Sequence, residues 1–230
     1  MEWRPSSVSV LIATLNEERG IGPTLKELKE VLVNPSLVVI DGRSVDRSVE
    51  IAKNSGADVL LQEGIGKGDA LFQGFKRLNT DARYVVFIDA DYTYPAEFIP
   101  KMVEVLEHNA EVGMVIGDRF NGSQNFDKSS TNIFYIGNRL IAAMQYLLNG
   151  IKLNDPLSGL RVVRAELLKE WQPKSKGFDV EVEINSFVER VGYRIVEVPI
   201  DYRPRLGKKK LGMRHGLGIM LRIIAESFAV

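Results

Sequence analysis

The chain contains no cysteine, which excludes disulfides and thiolate metal sites and leaves its compartment open. Neither charge is in excess, since Lys+Arg and Asp+Glu each number 30, so bulk electrostatics give no reason to expect a nucleic-acid partner. The opening residues, MEWRPSSVSV, hold no signal-peptide apolar core. No run approaches the roughly 20 apolar residues of a membrane span, which points to a protein that is soluble or lies on a membrane surface. Complete glycine fingerprints are missing as well. Gly64-Ile-Gly-Lys-Gly68 lacks the Ser or Thr after Lys67 that a P-loop needs, and it does not complete G-x-G-x-x-G. Histidine is scarce, and His108 and His215 read as surface residues. No internal repeat or low-complexity tract is present.

What the chain does have is an ordinary globular composition over 230 residues, 45% hydrophobic and 26% charged, enough for one large α/β domain. Strand-like runs at Val8–Thr14, Leu37–Ile40, Asp58–Leu61, Tyr84–Ile88 and Val112–Ile116 alternate with helical patterns at Ile21–Val31, Asp46–Asn54, Gly68–Leu78 and Glu97–Glu107. That alternation predicts a mostly parallel sheet with helices on both faces. The second half is less regular. A polar stretch from Asp118 to Ser130 reads as a mobile or binding loop, and Leu140–Leu148 as a strongly apolar helix that is core or a membrane-contacting face. A short strand at Leu160–Val163, helices at Ala165–Trp171 and Val180–Val191, and a strand at Arg194–Val198 follow. The chain closes on an interfacial amphipathic helix from Leu217 to Ala229.

Three strand ends carry polar or acidic groups: Asn16 and Glu17, Asp41, and the pair Asp89 and Asp91. In a parallel sheet these ends share one edge, where α/β folds hold ligands. Two carboxylates one residue apart repel unless a cation lies between them, and a hard divalent cation such as Mg²⁺ with a diphosphate answers that need. The competing reading makes either acid a cap for the next helix. Asp41 suits a base or ribose donor, or begins a turn with Gly42. Lys67 stands in a glycine-lined helix start that is able to meet a phosphate or a base, or in a solvated loop. Between Arg203 and Arg222 lie Arg203, Arg205, Lys208, Lys209, Lys210, Arg214 and Arg222, with no acid among them. That run is a solvated hairpin or the counter-charge for a leaving diphosphate.

Taken together, these motifs resemble the inverting family 2 glycosyltransferases of GT-A fold, and within them the polyprenyl-phosphate (dolichyl-phosphate) hexose synthases. The resemblance covers roughly Val8 to Leu211 and rests on six stretches in order: VSVLIATLNEE at Val8–Glu18, Asp41-Gly-Arg-Ser-Val-Asp46, Gly66-Lys-Gly68, Asp89-Ala-Asp91, Asp155-Pro-Leu-Ser-Gly-Leu-Arg161, and Tyr202-Arg-Pro-Arg-Leu-Gly-Lys-Lys-Lys-Leu211. It departs from that pattern at Ala13, where proline is usual, at Leu15, where tyrosine is frequent, and at Thr93, where many mannosyl transferases have glutamine.

The resemblance implies a GT-A catalytic domain over residues 1–212 and a C-terminal amphipathic helix over 213–230, with the chain either peripheral on a membrane or anchored through segments not in this chain. It implies transfer of a hexose from a nucleoside-diphosphate sugar to a polyprenyl phosphate with inversion. Ala13, Thr14, Leu15, Glu17, Asp41, Lys67 and Asp89-Ala90-Asp91 would bind the donor, Asp89 and Asp91 would hold Mg²⁺ or Mn²⁺, and Arg205 and Lys210 would neutralise the departing nucleotide. Asp155 would position sugar or acceptor, and Arg119 and Arg139 would hold the acceptor phosphate. The location implied is the cytoplasmic face of a membrane. The alternatives are a family 2 enzyme with a soluble acceptor and a non-catalytic nucleotide-binding module on the same fold.

Overall fold

The computed structural model describes residues 8–78, 81–122, 132–210 and 212–229. Strands β1 (Val8–Thr14), β2 (Ser36–Asp41), β3 (Asp58–Leu61), β4 (Tyr84–Phe87), β5 (Val112–Asp118), β6 (Arg161–Arg164) and β7 (Arg194–Pro199) form one sheet in the order β3-β2-β1-β4-β6-β5-β7. All neighbours run parallel except β6, which is antiparallel to both β4 and β5. The helices are α1 (Ile21–Val31), α2 (Ser48–Asn54), α3 (Lys67–Arg77), α4 (Ile99–His108), α5 (Ile133–Asn149), α6 (Ala165–Leu168), α7 (Val180–Arg190) and α8 (Met213–Ser227).

The central strands are apolar without interruption because both sheet faces are covered. Val10, Ile12, Val39 and Val86 pack under α1 and α4, against Leu25, Leu28, Met102 and Leu106. Their neighbours Leu11, Val38, Ile40 and Val85 face α3 and α7, against Leu71, Ile184 and Val188. In α1 the buried residues Ile21, Thr24, Leu25 and Leu28 recur at the i, i+3, i+4, i+7 spacing of one helical face.

Some boundaries differ from the sequence expectation for local reasons. The helix expected from Glu97 starts as a 3-10 turn, Ala96–Phe98, before α4 takes over with a proline in its first turn. Asp46 does not cap α2; its Oδ1 accepts instead from the backbone N and Oγ of Ser48. The antiparallel insertion of β6 departs from the β-α alternation, and it brings the segment 155–161 against the end of β4. Asn132 Oδ1 accepts from Phe134 N and Tyr135 N to start α5, which ends at Gly150 in the left-handed conformation (φ 75°). Most of the polar stretch after Asp118, residues 123–131, lies outside the described residues, as does Leu211 in the basic loop.

The apolar segment of α5 is neither wholly core nor wholly exposed. Asn138, Ile141, Ala142 and Gln145 face inward, whereas Ile133, Ile136, Leu140 and Leu147 form an exposed stripe. Helix α8 packs on α5 and α7 through Ile219 and Ile223 against Ile141 and Val182, and Arg222 ties it to Asp179 of the α7 N-cap at 3.1 Å. Its other side exposes Leu217, Leu221, Ile224 and Phe228. Among the described residues no helix is long and apolar enough to cross a membrane.

Candidate active site

Parallel pairing aligns Thr14 with Asp41 and Leu11 with Phe87, so the loops after β1, β2 and β4 leave the same edge. Asn16 (φ 50°), Arg43 (φ 66°) and Tyr92 (φ 67°) occupy the left-handed region just past those strand ends. Such backbone strain persists where surrounding structure over-determines it, and it concentrates at functional sites. The over-determination here is a set of cross-loop bonds. Asn16 N donates to Ser44 Oγ (2.8 Å), Val45 N to Asn16 Oδ1 (2.8 Å), Glu17 N to Ser48 Oγ (2.8 Å) and Glu18 N to Asp46 Oδ2 (3.1 Å). The acidic-serine motif after β2 thus welds two loops into one rim.

Below this rim a cavity of ≈ 1090 Å³ runs from Gly42 and Gln62 past Asp89 and Asp91 to Phe134 and Ile219. Asp89 and Asp91 both line it, with different surroundings. Asp89 Oδ1 lies 2.7 Å from Lys67 Nζ, which is also 2.7 Å from Glu181 Oε1. Burial acts to raise the Asp89 carboxyl, but the Lys67 ammonium outweighs it and holds the group below the usual carboxylate range. Asp91 is shifted the other way, upward, by burial and then by the charge of Asp89. Its Oδ1 accepts from Thr93 N (3.0 Å) and Thr93 Oγ1 (2.6 Å). Its Oδ2 is buried with no aligned hydrogen-bond donor, although Arg205 Nη2 stands 2.5 Å away.

A divalent cation fits this arrangement. Burial and the charge of Asp89 keep the Asp91 carboxyl raised even with Arg205 beside its Oδ2, and a hard cation between the two acids would relieve that repulsion. Among the described residues no set of three or more His, Asp or Glu side chains is arranged to hold a metal. Protein carboxylates would therefore supply only part of the coordination, with diphosphate and water completing it. Thr93 is fully buried and holds Asp91 in place.

The basic loop lies on the acids. Arg203 N donates to Thr93 O (2.9 Å) and Leu206 N to Asp91 O (3.3 Å). Arg203 grips Glu27 through two 2.7 Å bonds while stacking 4.5 Å from the Tyr92 ring. Arg205 reaches Glu17 at 3.3 Å, and Lys210 also pairs with Glu17. Burial raises the Glu17 carboxyl above its ordinary value despite these cations, and its Oε2 makes no hydrogen bond. No carboxylate among the described residues pairs with Lys209. Burial and then the charges of Arg205 and Arg119 lower its ammonium to about 8.

The glycines around Lys67 have a packing role. A Cβ at Gly66 or Gly68 would run into the backbone carbonyls of Lys176 and Ser175, and Gly68 N donates to Lys176 O at 3.0 Å. The α3 N-terminus is therefore docked on the segment before α7, which delivers Lys67 between two carboxylates. Gly66→Ala is expected to lose at least ~1–3 kcal/mol from its positive φ alone, with the steric collision added. Gly192→Ala, also at positive φ but with open space around it, should show only the backbone cost. Urea unfolding of both variants checks the difference.

Comparison with known proteins agrees with this geometry. The Glycosyl transferase family 2 model matches residues 9–172. The chain belongs to this glycosyltransferase family. The Dolichyl-phosphate hexose transferase of Haloferax volcanii is 34% identical over 213 residues, covering 91% of this chain and 89% of that protein. The Dolichol-phosphate mannosyltransferase of Pyrococcus furiosus is 27% identical over 213 residues, covering 89% of this chain but 59% of that longer protein. In structure, glucosyl-3-phosphoglycerate synthase from Mycobacterium tuberculosis, solved with Mn²⁺, UDP-glucose and phosphoglyceric acid, superposes with a TM-score of 0.74 at 24% identity, covering 96% of this chain and 79% of that one. The GT-A fold is thereby shown.

In this family 2 glycosyltransferase, most of the residues expected to bind the donor converge: Ala13, Thr14, Leu15, Glu17, Lys67 and Asp89-Ala90-Asp91 line the one cavity. Three expected residues sit elsewhere. Asp41 is almost fully buried, and its two oxygens accept from Ser44 N (2.8 Å) and Ser44 Oγ (2.5 Å); Gly42, Arg43 and Gln62 form the wall there. Asp155 is completely buried off the wall and holds Arg119 through Nε and Nη2, each at 2.6 Å. Arg139 is exposed away from the cavity, its Nη1 3.4 Å from Asn154 O, because α5 turns it outward. Of the expected acceptor-phosphate pair, Arg119 alone lines the cavity. His215, expected at the surface, is half-buried against Phe178 at the cavity wall. Glu181 and Gln62 were not singled out from the sequence, and Lys209 was named only as one of seven basic residues. For Lys209 the available signal was its place in a run of three lysines.

Proposed function

We propose that this glycosyltransferase moves a hexose from a nucleoside-diphosphate sugar, of the UDP-glucose or GDP-mannose kind, to a polyprenyl phosphate with inversion at the anomeric carbon. The observation that carries the reading is the pair Asp89 and Asp91 on one cavity with a cationic facing wall, the Asp91 carboxyl staying raised by burial and by the charge of Asp89 even with Arg205 Nη2 2.5 Å away. Asp89 and Asp91 would hold Mg²⁺ or Mn²⁺, which supplies Lewis-acid charge at the diphosphate. Arg205 pairs with Asp91 and Glu17 and Lys210 pairs with Glu17, so exchanging Glu17 and Asp91 for phosphate oxygens lets them take up leaving-group charge. Lys209 and Arg119 face the acceptor side. A phosphate acceptor is already anionic at neutral pH, so a strong general base is not obligatory.

The cavity reaches Phe134 and Ile219, next to the exposed stripes of α5 and α8. A contiguous apolar surface of this kind suits the cytoplasmic face of a membrane, where the chain would be peripheral or anchored by further segments. The Haloferax relative's name is consistent with such an acceptor. The test is product analysis with radiolabelled UDP-glucose and GDP-mannose, Mn²⁺, and either a short polyprenyl phosphate or phosphoglycerate. A lipid-linked hexose phosphate is the expected product. Turnover only with phosphoglycerate, by a protein that ignores liposomes, would reject the lipid reading.

Acceptor use should also report Lys209. Its lowered ammonium pKa means the charge that attracts phosphate is lost as pH rises through about 8. The acceptor KM is expected to climb above that pH, and Lys209→Arg should flatten the rise because arginine stays protonated.

A further inference from the structure

Gln62 stands at the end of β3, its backbone N held by Asp41 O at 2.8 Å, and it is 4% exposed. The side-chain amide has one allowed orientation. Nε2 donates to Gly66 O (2.8 Å) and to Asp69 Oδ2 (2.7 Å), and neither partner is able to donate in return. Asp69 is itself held by Gln73 Nε2 (2.6 Å), whose Oε1 accepts from Glu63 N (3.1 Å). Oε1 is therefore fixed toward Gly42. A Cβ there would come 3.3 Å from it, so the missing side chain keeps the oxygen approachable, and no donor among the described residues reaches it. Arg43 lies on the same wall with one guanidinium nitrogen on Glu63 O (3.3 Å), and Leu15 adds an apolar surface.

A fixed acceptor beside a guanidinium donor complements a ring N–H next to a C=O. Uracil and guanine carry that lactam edge. Cytosine and adenine present a bare ring nitrogen at the corresponding place, and two acceptors would then face each other. We propose that Gln62 Oε1 reads the lactam N–H of the donor's base, so that the site selects uracil or guanine nucleotides over cytosine and adenine ones. Asp69 and Gln73 are positioning residues for that amide. The inference rests on the nucleoside-diphosphate reading above.

The test is calorimetric binding of UDP, GDP, CDP, ADP and pyrophosphate, each with Mn²⁺. The wild-type chain should bind UDP or GDP at least ~10-fold tighter than CDP and ADP, because a mismatched buried acceptor loses its bond and keeps its desolvation cost. Gln62→Ala should erase most of that preference while pyrophosphate affinity stays unchanged, which also reports an intact fold. Asp69→Ala, which lets the amide turn, should weaken the preference in the same way. Equal affinity of the wild type for UDP, GDP and CDP overturns the proposal, as does a preference that survives Gln62→Ala. Pyrophosphate binding without base preference would overturn it and leave the metal–diphosphate site standing. Failure of all five ligands to bind would overturn the donor reading and this inference together.

Discussion

Asp91→Ala is expected to lower metal-dependent hexose transfer by about 10³-fold or more, since the charge stabilisation a metal supplies is worth several kcal/mol and each ~1.4 kcal/mol is tenfold in rate. The fold should survive, because the carboxyl being removed is one whose ionised form is penalised by burial and by the charge of Asp89. Manganese affinity measured by calorimetry, without any turnover, should fall in parallel. The loop reports the same change from another side. With Asp91 gone, Arg205 keeps only Glu17 as an acidic partner at 3.3 Å, so the basic loop should become more protease-sensitive. Near-wild-type turnover with undiminished manganese binding would remove the metal–diphosphate account.

Lys67→Met should have the largest effect on stability, about 3–5 kcal/mol at pH 8, because removing one partner of a buried ionic group leaves charge uncompensated. The side chain is 14% exposed and lies 2.7 Å from both Asp89 and Glu181. In the wild type the Asp89 carboxyl is held low, so its contribution is present above the ordinary carboxylate pKa and is lost as pH falls through its depressed value. In the variant the sign reverses. Without the ammonium, burial and mutual repulsion raise the carboxyls, so protonation relieves them and stability recovers as pH falls from 8 toward 5. Urea unfolding at both pH values checks this. A loss that is small at pH 8, or equal at both, would show that the Lys67 bridge does not hold the site together.

Much of the framework was legible in order along the chain. The apolar runs at Val8–Thr14 and Tyr84–Ile88 marked strands covered on both faces, and their polar termini pointed to one edge. The tyrosine-arginine-proline stretch was legible as counter-charge, and it does lie on Asp91. Less legible were features set by contacts across long separations. The pairing of Tyr84 with Arg164 and Phe87 with Arg161 is antiparallel and links residues far apart in sequence, so no local periodicity announces it. The glycines flanking Lys67 left a ligand-facing helix start and a solvated loop equally open, and they are room for the carbonyls of Ser175 and Lys176. Arg119 and Arg139 were indistinguishable as isolated cations. One is buried against Asp155 and the other is turned to solvent by the phase of α5.

By itself the sequence determined the α/β class, the family, and the chemical types at the sheet edge, because hydrophobic period and residue chemistry are local properties of a chain. Only the tertiary structure decided which charges meet. Lys67 goes to Asp89 and Glu181, Arg205 to Asp91 and Glu17, Lys210 to Glu17, Asp155 to Arg119, and the amide of Gln62 turns its oxygen outward. The physical reason is that Coulombic and hydrogen-bond energies depend on separations of a few ångströms, and those are set by how the helices dock across the sheet.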